Sequence, residues 1–271
     1  ACCTHTMTHL LHRELTGQII RVYYNVYNGL SRTYPEFIYE NAMMDDLTES
    51  GVKCTRQDEY KIFYKEWIVG RQRLDIFVAD EVVVELKALP HLTRLNQAQT
   101  ISYLKTTGKQ VGLLCNFGGV EPEFKRLYFT LGQPYSHQPA KDKSWADLQF
   151  PEISGQIISG LFEIHNNLGP GFVHRIYANA CYKEIQSRGL EVQPLREITV
   201  YYRGKSIGRV RQKHLLIEGV IMLFPVAVGG IEQIEPENLR RWMHSQGVPL
   251  GILANFQSER LELKFMKELK N

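Results

Sequence analysis

The chain has 271 residues, enough for two ordinary domains, and a hydrophobic content of 44% with 11% aromatics excludes a disordered polymer. Thirty-two Lys and Arg against 29 Asp and Glu leave a net charge of only +3, so the molecule as a whole is not a polycation that coats nucleic acid, and any such binding is local. No uninterrupted apolar run is long enough to cross a bilayer, no basic-then-apolar secretory pattern opens the chain, and the five cysteines lack Cys-x-x-Cys spacing, which fits reduced thiols and a cytoplasmic location.

Residues Ala1 to Thr6 precede a plausible start at Met7 and read as a leader or a cloning remnant. Cys2, Cys3, His5, His9 and His12 then read as a flexible terminus rather than a metal cluster. From Leu15 to Leu30, the apolar residues Leu15, Ile19, Val22, Tyr23 and Val26 recur at helical spacing. A second helix is predicted over Glu36 to Ser50, closed by Gly51. Strand-like runs follow at Glu59 to Tyr64, Leu74 to Val78 and Val82 to Leu86, the last two forming a hairpin about Ala79-Asp80-Glu81. Leu92 to Thr107 reads as a helix ending at Gly108, and Gln110 to Asn116 as a buried strand. Cys54 and Cys115 fall in apolar stretches and are expected in the core.

The whole arrangement then repeats. Leu15-Thr16-Gly17-Gln18-Ile19-Ile20 returns as Ile153-Ser154-Gly155-Gln156-Ile157-Ile158, Tyr39-Glu40-Asn41-Ala42 as Tyr177-Ala178-Asn179-Ala180, and Gly112-Leu113-Leu114-Cys115-Asn116-Phe117 as Gly251-Ile252-Leu253-Ala254-Asn255-Phe256. The near-constant offset marks a tandem duplication of a domain rather than a short solenoid repeat. The expected organisation is a domain at residues 7–130, a linker at 131–149 rich in Pro and polar residues, and a second domain at 150–271. Each domain is expected to be α/β, a mixed central sheet flanked by helices.

Chemistry concentrates in the first copy. Alternation along a strand puts Glu85 and Lys87 on one face, and the hairpin brings Asp75 beside them. Two carboxylates can hold a hard divalent cation, Mg²⁺ or Mn²⁺, through oxygen ligands, while the ammonium orients a water for attack on a phosphodiester. Gln99 and Tyr103 lie one turn apart on the next helix and point to the same cleft.

Asp75, Glu85-Leu86-Lys87 and Gln99-Thr100-Ile101-Ser102-Tyr103 resemble the pattern of PD-(D/E)XK nucleases with the RecB-like Gln-x-x-x-Tyr element. More narrowly, the chain resembles the bacterial GxxExxY proteins, a compact branch of that superfamily. Their motif falls on Thr33-Tyr34-Pro35-Glu36-Phe37-Ile38-Tyr39, with Thr33 in place of glycine, and on Gly171-Phe172-Val173-His174-Arg175-Ile176-Tyr177, with His174 in place of glutamate. The resemblance implies two tandem restriction-endonuclease-like domains, Mg²⁺ held by Asp75, Glu85 and the Leu86 carbonyl, and Glu36 as a further acidic ligand. It also implies Lys87 as the residue that positions water, and Gln99 with Tyr103 orienting the scissile strand.

The second copy serves as an internal control. At the near-constant offset, Asp75 becomes Lys213, Glu85 becomes Leu223, Lys87 becomes Pro225 and Glu36 becomes His174, while Gln99 and Tyr103, one residue further on, become Asn238 and Trp242. The expected function is a metal-dependent nuclease acting on DNA, with the first copy catalytic and the second a pseudo-nuclease that offers a binding surface to a protein assembly. The rival reading is a non-catalytic assembly or binding protein that inherited the nuclease fold. Arg71, Arg73, Arg94 and Lys105 are candidate phosphate contacts. No helicase motif and no four-cysteine cluster set is present.

Overall fold

A computed structural model describes residues 11–130 and 148–268. Cys2, Cys3, His5 and His9, and nearly all of the expected linker, lie outside the described residues. Contacts group residues 11–61 and 71–130 into one unit and residues 62–70 and 148–268 into another.

In the first unit, α1 (Arg13–Gly29) turns Ile19, Val22, Tyr23 and Val26 into the core, and α2 (Glu36–Glu49) adds Tyr39, Met43 and Leu47. The strands of the first sequence copy are β1 (Cys54–Arg56), β2 (Glu59–Tyr64), β3 (Trp67–Arg73), β4 (Ile76–Val78), β5 (Val82–Lys87), β6 (Val111–Asn116) and β7 (Glu123–Tyr128), with α3 (Arg94–Thr107) between β5 and β6 and the tip of β2 and β3 grouped with the second unit. They form a five-stranded sheet in the order β1-β4-β5-β6-β7, while β2 and β3 form a separate ribbon. Only β5 and β6 run parallel, because α3 carries the chain back across the sheet. The sheet is mixed, as the residue pattern predicts. β1, β3 and β7 are additions to the expected strands: β3 (WIVGRQR) is half polar and β7 alternates weakly, so neither shows a buried-strand signature.

Helix α3 begins two residues later than Leu92 because the Thr93 hydroxyl accepts from the Asn96 backbone N–H and the Asn96 side chain accepts from the Thr93 N–H. It packs so closely on β6 that a Cβ at Gly112 would stand 2.9 Å from Thr100 Cγ2. In the second unit a Cβ at Gly251 would meet Met243 Sδ at 2.5 Å.

The second unit repeats the plan with α4 (Pro151–Leu168), α5 (His174–Ser187), β8 (Val192–Tyr202), β9 (Lys205–Ile217), β10 (Ile221–Val226), α6 (Pro236–Ser245), β11 (Leu250–Asn255) and β12 (Glu262–Lys267). Its sheet order is β12-β11-β10-β9-β8. The first copy breaks its long strands at Gln57-Asp58 and Leu74-Asp75; the second runs β8 and β9 through with bulges. This unit also takes in residues 62–70. Ile62, Tyr64 and Val69 are buried with Ile157, Leu161 and Tyr177, and the Asn179 amide donates to the Val69 carbonyl at 2.7 Å. Glu184 accepts from Tyr64 Oη and pairs with Lys65 and Arg188.

The residues that persist in both copies have structural work. Tyr39 stacks on Phe117 at 4.5 Å, and Tyr177 on Phe256 at 4.6 Å. Their hydroxyls donate to Ser31 O and Gly169 O respectively. Asn116 bonds both backbone groups of Leu89, and Asn255 both of Val228. Even a shared carboxylate is structural: Glu123 accepts from Leu92 N–H, and Glu262 from Ile231 N–H. Replacing Asn116 or Asn255 by alanine leaves partly buried backbone groups unpaired, so each change is expected to cost about 1–3 kcal/mol in urea unfolding. Asn28→Ala, on the exposed face of α1, is expected to stay within about 0.5 kcal/mol.

Candidate active site

The β4–β5 hairpin turns through Ala79 and Asp80, both with positive φ (51 and 57°), and pairs Ile76 with Val84. One step outward, this register sets Asp75 opposite Glu85. Phe77 and Val83 pack beneath Tyr103 and Leu104 of α3, so by alternation Asp75, Glu85 and Lys87 occupy the face that α3 covers. Val82, Val84 and Leu86 fill the opposite core with α1 and α2.

The charged groups are tightly arranged. Leu86 N–H donates to Asp75 Oδ2 at 2.8 Å. Lys87 Nζ pairs with Glu85 Oε1 at 2.5 Å and donates to the Leu86 carbonyl at 3.0 Å. Gln99 Nε2 donates to Tyr103 Oη at 2.8 Å. Glu36 is exposed and accepts from Ala88 N–H at 3.3 Å, and its charge reaches Asp75 and Lys87. The structure thus gathers Asp75, Glu85, Leu86 and Lys87 at one strand end, with Tyr103 within electrostatic reach of both carboxylates and Glu36 on the rim.

Of the candidate phosphate contacts, Arg71 pairs with Glu59 and Arg73 bonds Gln57, while Arg94 is exposed. Lys105 is held down at about 8 by burial and lies over the Phe129 ring.

One carboxylate belongs to this neighbourhood without having been singled out from the sequence. Glu40, buried one turn after Glu36, accepts from Gln57 Nε2 at 2.8 Å, and burial followed by the nearby Asp75 charge raises its carboxyl. Its signal was available: Glu40 becomes Ala178 in the second copy.

Glu85 is 1% exposed, and burial, then the adjacent Asp75, pushes its carboxyl up to about 8. Burial also raises Asp75, against the opposing Leu86 N–H and Lys87. Lys87 is raised despite burial, because Glu85 stabilises its charge. Glu85 Oε2 is buried with no N–H or O–H donor from the rest of the protein, and the Asp75 carboxyl beside Glu85 can bond it only when one of the two is protonated. A divalent cation fits this set: it supplies the missing partner and relieves the repulsion between the carboxylates. No three His, Cys, Asp or Glu side chains converge as a ligand cage among the described residues. Two carboxylates with water completing the shell is the usual Mg²⁺ arrangement.

Strand pairing corrects the correspondence between the copies. Val82 pairs with Val78 and Val111, and Ile221 with Ile217 and Leu250. From β4 onward the offset is therefore 139 rather than 138, one extra residue being absorbed where β8 and β9 shift register. The counterparts are His214 for Asp75, Phe224 for Glu85 and Val226 for Lys87; Lys213, Leu223 and Pro225 each lie one residue away. The carboxylates and the lysine are still absent. His214 packs against Phe224 and Trp242, with ring centroids at 4.7 and 5.0 Å.

The family model of the PD-(D/E)XK nuclease superfamily matches residues 13–127 and again 151–267. The chain belongs to this superfamily and carries its domain twice in tandem. No match was found among curated proteins or among solved structures.

Replacing Glu85 by glutamine keeps the shape and removes the buried charge. The thermal midpoint without metal is expected to hold or rise by a few degrees; if the cluster binds Mg²⁺, the unaltered protein is expected to shift upward with Mg²⁺ and the variant not to. For His214, burial followed by His174 lowers the imidazole from 6.5 to about 4. Its neutral form is favoured by folding, so its contribution to stability is intact above 6.5 and is lost as pH falls towards 4, by up to about 3 kcal/mol. Urea midpoints across that range are expected to decline less steeply in His214→Phe.

Proposed function

We propose that the chain is a metal-dependent nuclease that hydrolyses DNA phosphodiester bonds in the cytoplasm, with the first copy catalytic and the second a pseudo-nuclease. The observation that carries this reading is the buried Asp75–Glu85–Lys87 cluster, with a carboxylate oxygen that no N–H or O–H donor from the rest of the protein reaches, in a domain of a nuclease superfamily. The Gln99–Tyr103 pair and the Thr33–Tyr39 segment support a place near the RecB-like and GxxExxY branches.

In this mechanism Asp75 and Glu85, with the Leu86 carbonyl, would hold Mg²⁺ or Mn²⁺, with Glu36 on the rim as a further acidic group. The cation supplies Lewis-acid polarisation of the phosphoryl oxygen and makes water acidic enough to attack at neutral pH. Lys87 stays charged against Glu85, so it orients the nucleophilic water and offsets negative charge developing on the phosphate rather than acting as a base. Tyr103, whose ionisation burial opposes, acts as a neutral donor with Gln99 to fix the strand.

The test is cleavage of labelled single- and double-stranded DNA, with RNA in parallel, in Mg²⁺ or Mn²⁺. Cutting is expected only with metal, and Asp75→Ala and Lys87→Ala are each expected to lower the rate by about 100-fold or more. Preferential cutting of RNA would reassign the substrate. No cutting with either metal, together with no calorimetric metal binding, would overturn the reading in favour of a binding protein on an inherited fold.

A further inference from the structure

The β2–β3 ribbon and the β8–β9 hairpin are counterparts, yet one tip is buried and the other exposed. At the offset of 138, Tyr64-Lys65 corresponds to Tyr202-Arg203 and Val69-Gly70 to Ile207-Gly208. Both tips turn through a residue with positive φ, 52° at Lys65 and 50° at Arg203. Tyr64 and Val69 are 0 and 1% exposed, whereas Tyr202 and Ile207 are 60 and 64% exposed. A single apolar side chain in water needs no explanation. Here two stand at the very positions that the sister tip buries.

The buried tip shows what its seat consists of. The Asn179 amide donates to the Val69 carbonyl at 2.7 Å. Glu184 accepts from Tyr64 Oη at 2.8 Å and from Lys65 Nζ at 2.7 Å, and Ile176 occupies the space that a side chain at Gly70 would need. These three receptors lie on α5, and the same positions of α2 hold Ile38, Asn41 and Asp46. Each keeps its chemical type. So does the exposed tip, with a tyrosine, a cation, a β-branched residue and a glycine in the same order. Asn41 is exposed, and Arg56 donates to its carbonyl oxygen, so its amide N–H₂ is the group left to donate. Glu184 divides its charge between Lys65 and Arg188; Ser50 stands where Arg188 would, so Asp46 has no such arginine to share with. Charge also matches. Helix α2 contains five Asp and Glu and no Lys or Arg, while residues 202–213 contain five Lys and Arg and no Asp or Glu.

We infer that the β8–β9 tip docks on α2 of a second copy of this chain. Tyr202 and Arg203 bond Asp46, Asn41 donates to the Ile207 carbonyl, and Gly208 lies against Ile38. Two tips on two helices make a self-complementary contact that closes a two-fold dimer. The inference holds whether or not the first copy cleaves DNA. A nucleic-acid strand is the competing occupant, since its phosphates would attract Arg203 and Lys205. It would leave the exposed Ile207 and the matched set on α2 without a role.

Sedimentation velocity of the full chain between about 1 and 100 μM tests this. A concentration-dependent dimer is expected, weakened by salt. Ile207→Glu and Asp46→Lys are each expected to raise the dissociation constant about tenfold or more, and Asn41→Ala about fivefold. Ile207 and Asn41 are exposed, so their variants are expected to keep the thermal midpoint. The Ile207→Glu chain retains its seat and the Asp46→Lys chain its tip, so a mixture of the two is expected to associate more tightly than either alone. A chain that stays monomeric, a dimer indifferent to all three substitutions, or a mixture no better associated than its parts overturns the inference. A monomer whose Arg203→Glu variant loses retention on DNA also overturns it and assigns the tip to nucleic acid.

Discussion

A carboxylate buried at the end of an otherwise apolar strand is costly, and the surroundings of Glu85 are organised around that cost. Leaving such a charge unpaired costs several kcal/mol, so Lys87 sits against one oxygen and Asp75 crowds the other side. The compensation is incomplete, as Oε2 shows by lacking an N–H or O–H donor from the rest of the protein. The same strand that builds the core through Val82, Val84 and Leu86 therefore delivers an electrostatically dissatisfied group to its own edge. Apolar packing and buried charge are drawn from alternate residues of one six-residue strand.

The two copies separate scaffold from site. Tyr39 and Tyr177 lock the entrances of equivalent helices onto Phe117 and Phe256, and Asn116 and Asn255 brace equivalent loops. These contacts fix where position 36 or 174 and the end of β5 or β10 stand, whatever side chains occupy them. In the second copy the burial problem at the Glu85 position is solved by substitution: Phe224 needs no partner and fills the space as core. The unsatisfied group has moved instead to His214.

Much of this was legible in the sequence because it depends on periodicity and short-range spacing. The helices, the central strands and the hairpin that joins Asp75 to Glu85 follow from apolar alternation and turn residues. The ribbon strand β3 and the edge strand β7 were not legible, since half-polar strands carry little periodic signal. The correspondence of Asp75 with His214 was hidden by a single inserted residue. Bulges absorb such an insertion without disturbing the apolar landmarks on either side, and only hydrogen-bond register reveals it. Glu40 was visible as a carboxylate lost in the second copy, but its closeness to Asp75 arises from how α2 lies against the strands, which sequence spacing does not encode.

Residues 62–70 belong by sequence to the first copy and by contact to the second unit. Tyr64 fills part of that unit's core, and Lys65 neutralises its buried Glu184. A cut between the sequence repeats would strip one half of an aromatic side chain and a counter-charge, and leave the other with an apolar ribbon tip and nothing to bury it. Gene duplication produced two copies free to diverge in sequence, but this exchange makes them a single inheritance: the second copy can lose the charged residues of the first and still cannot be discarded.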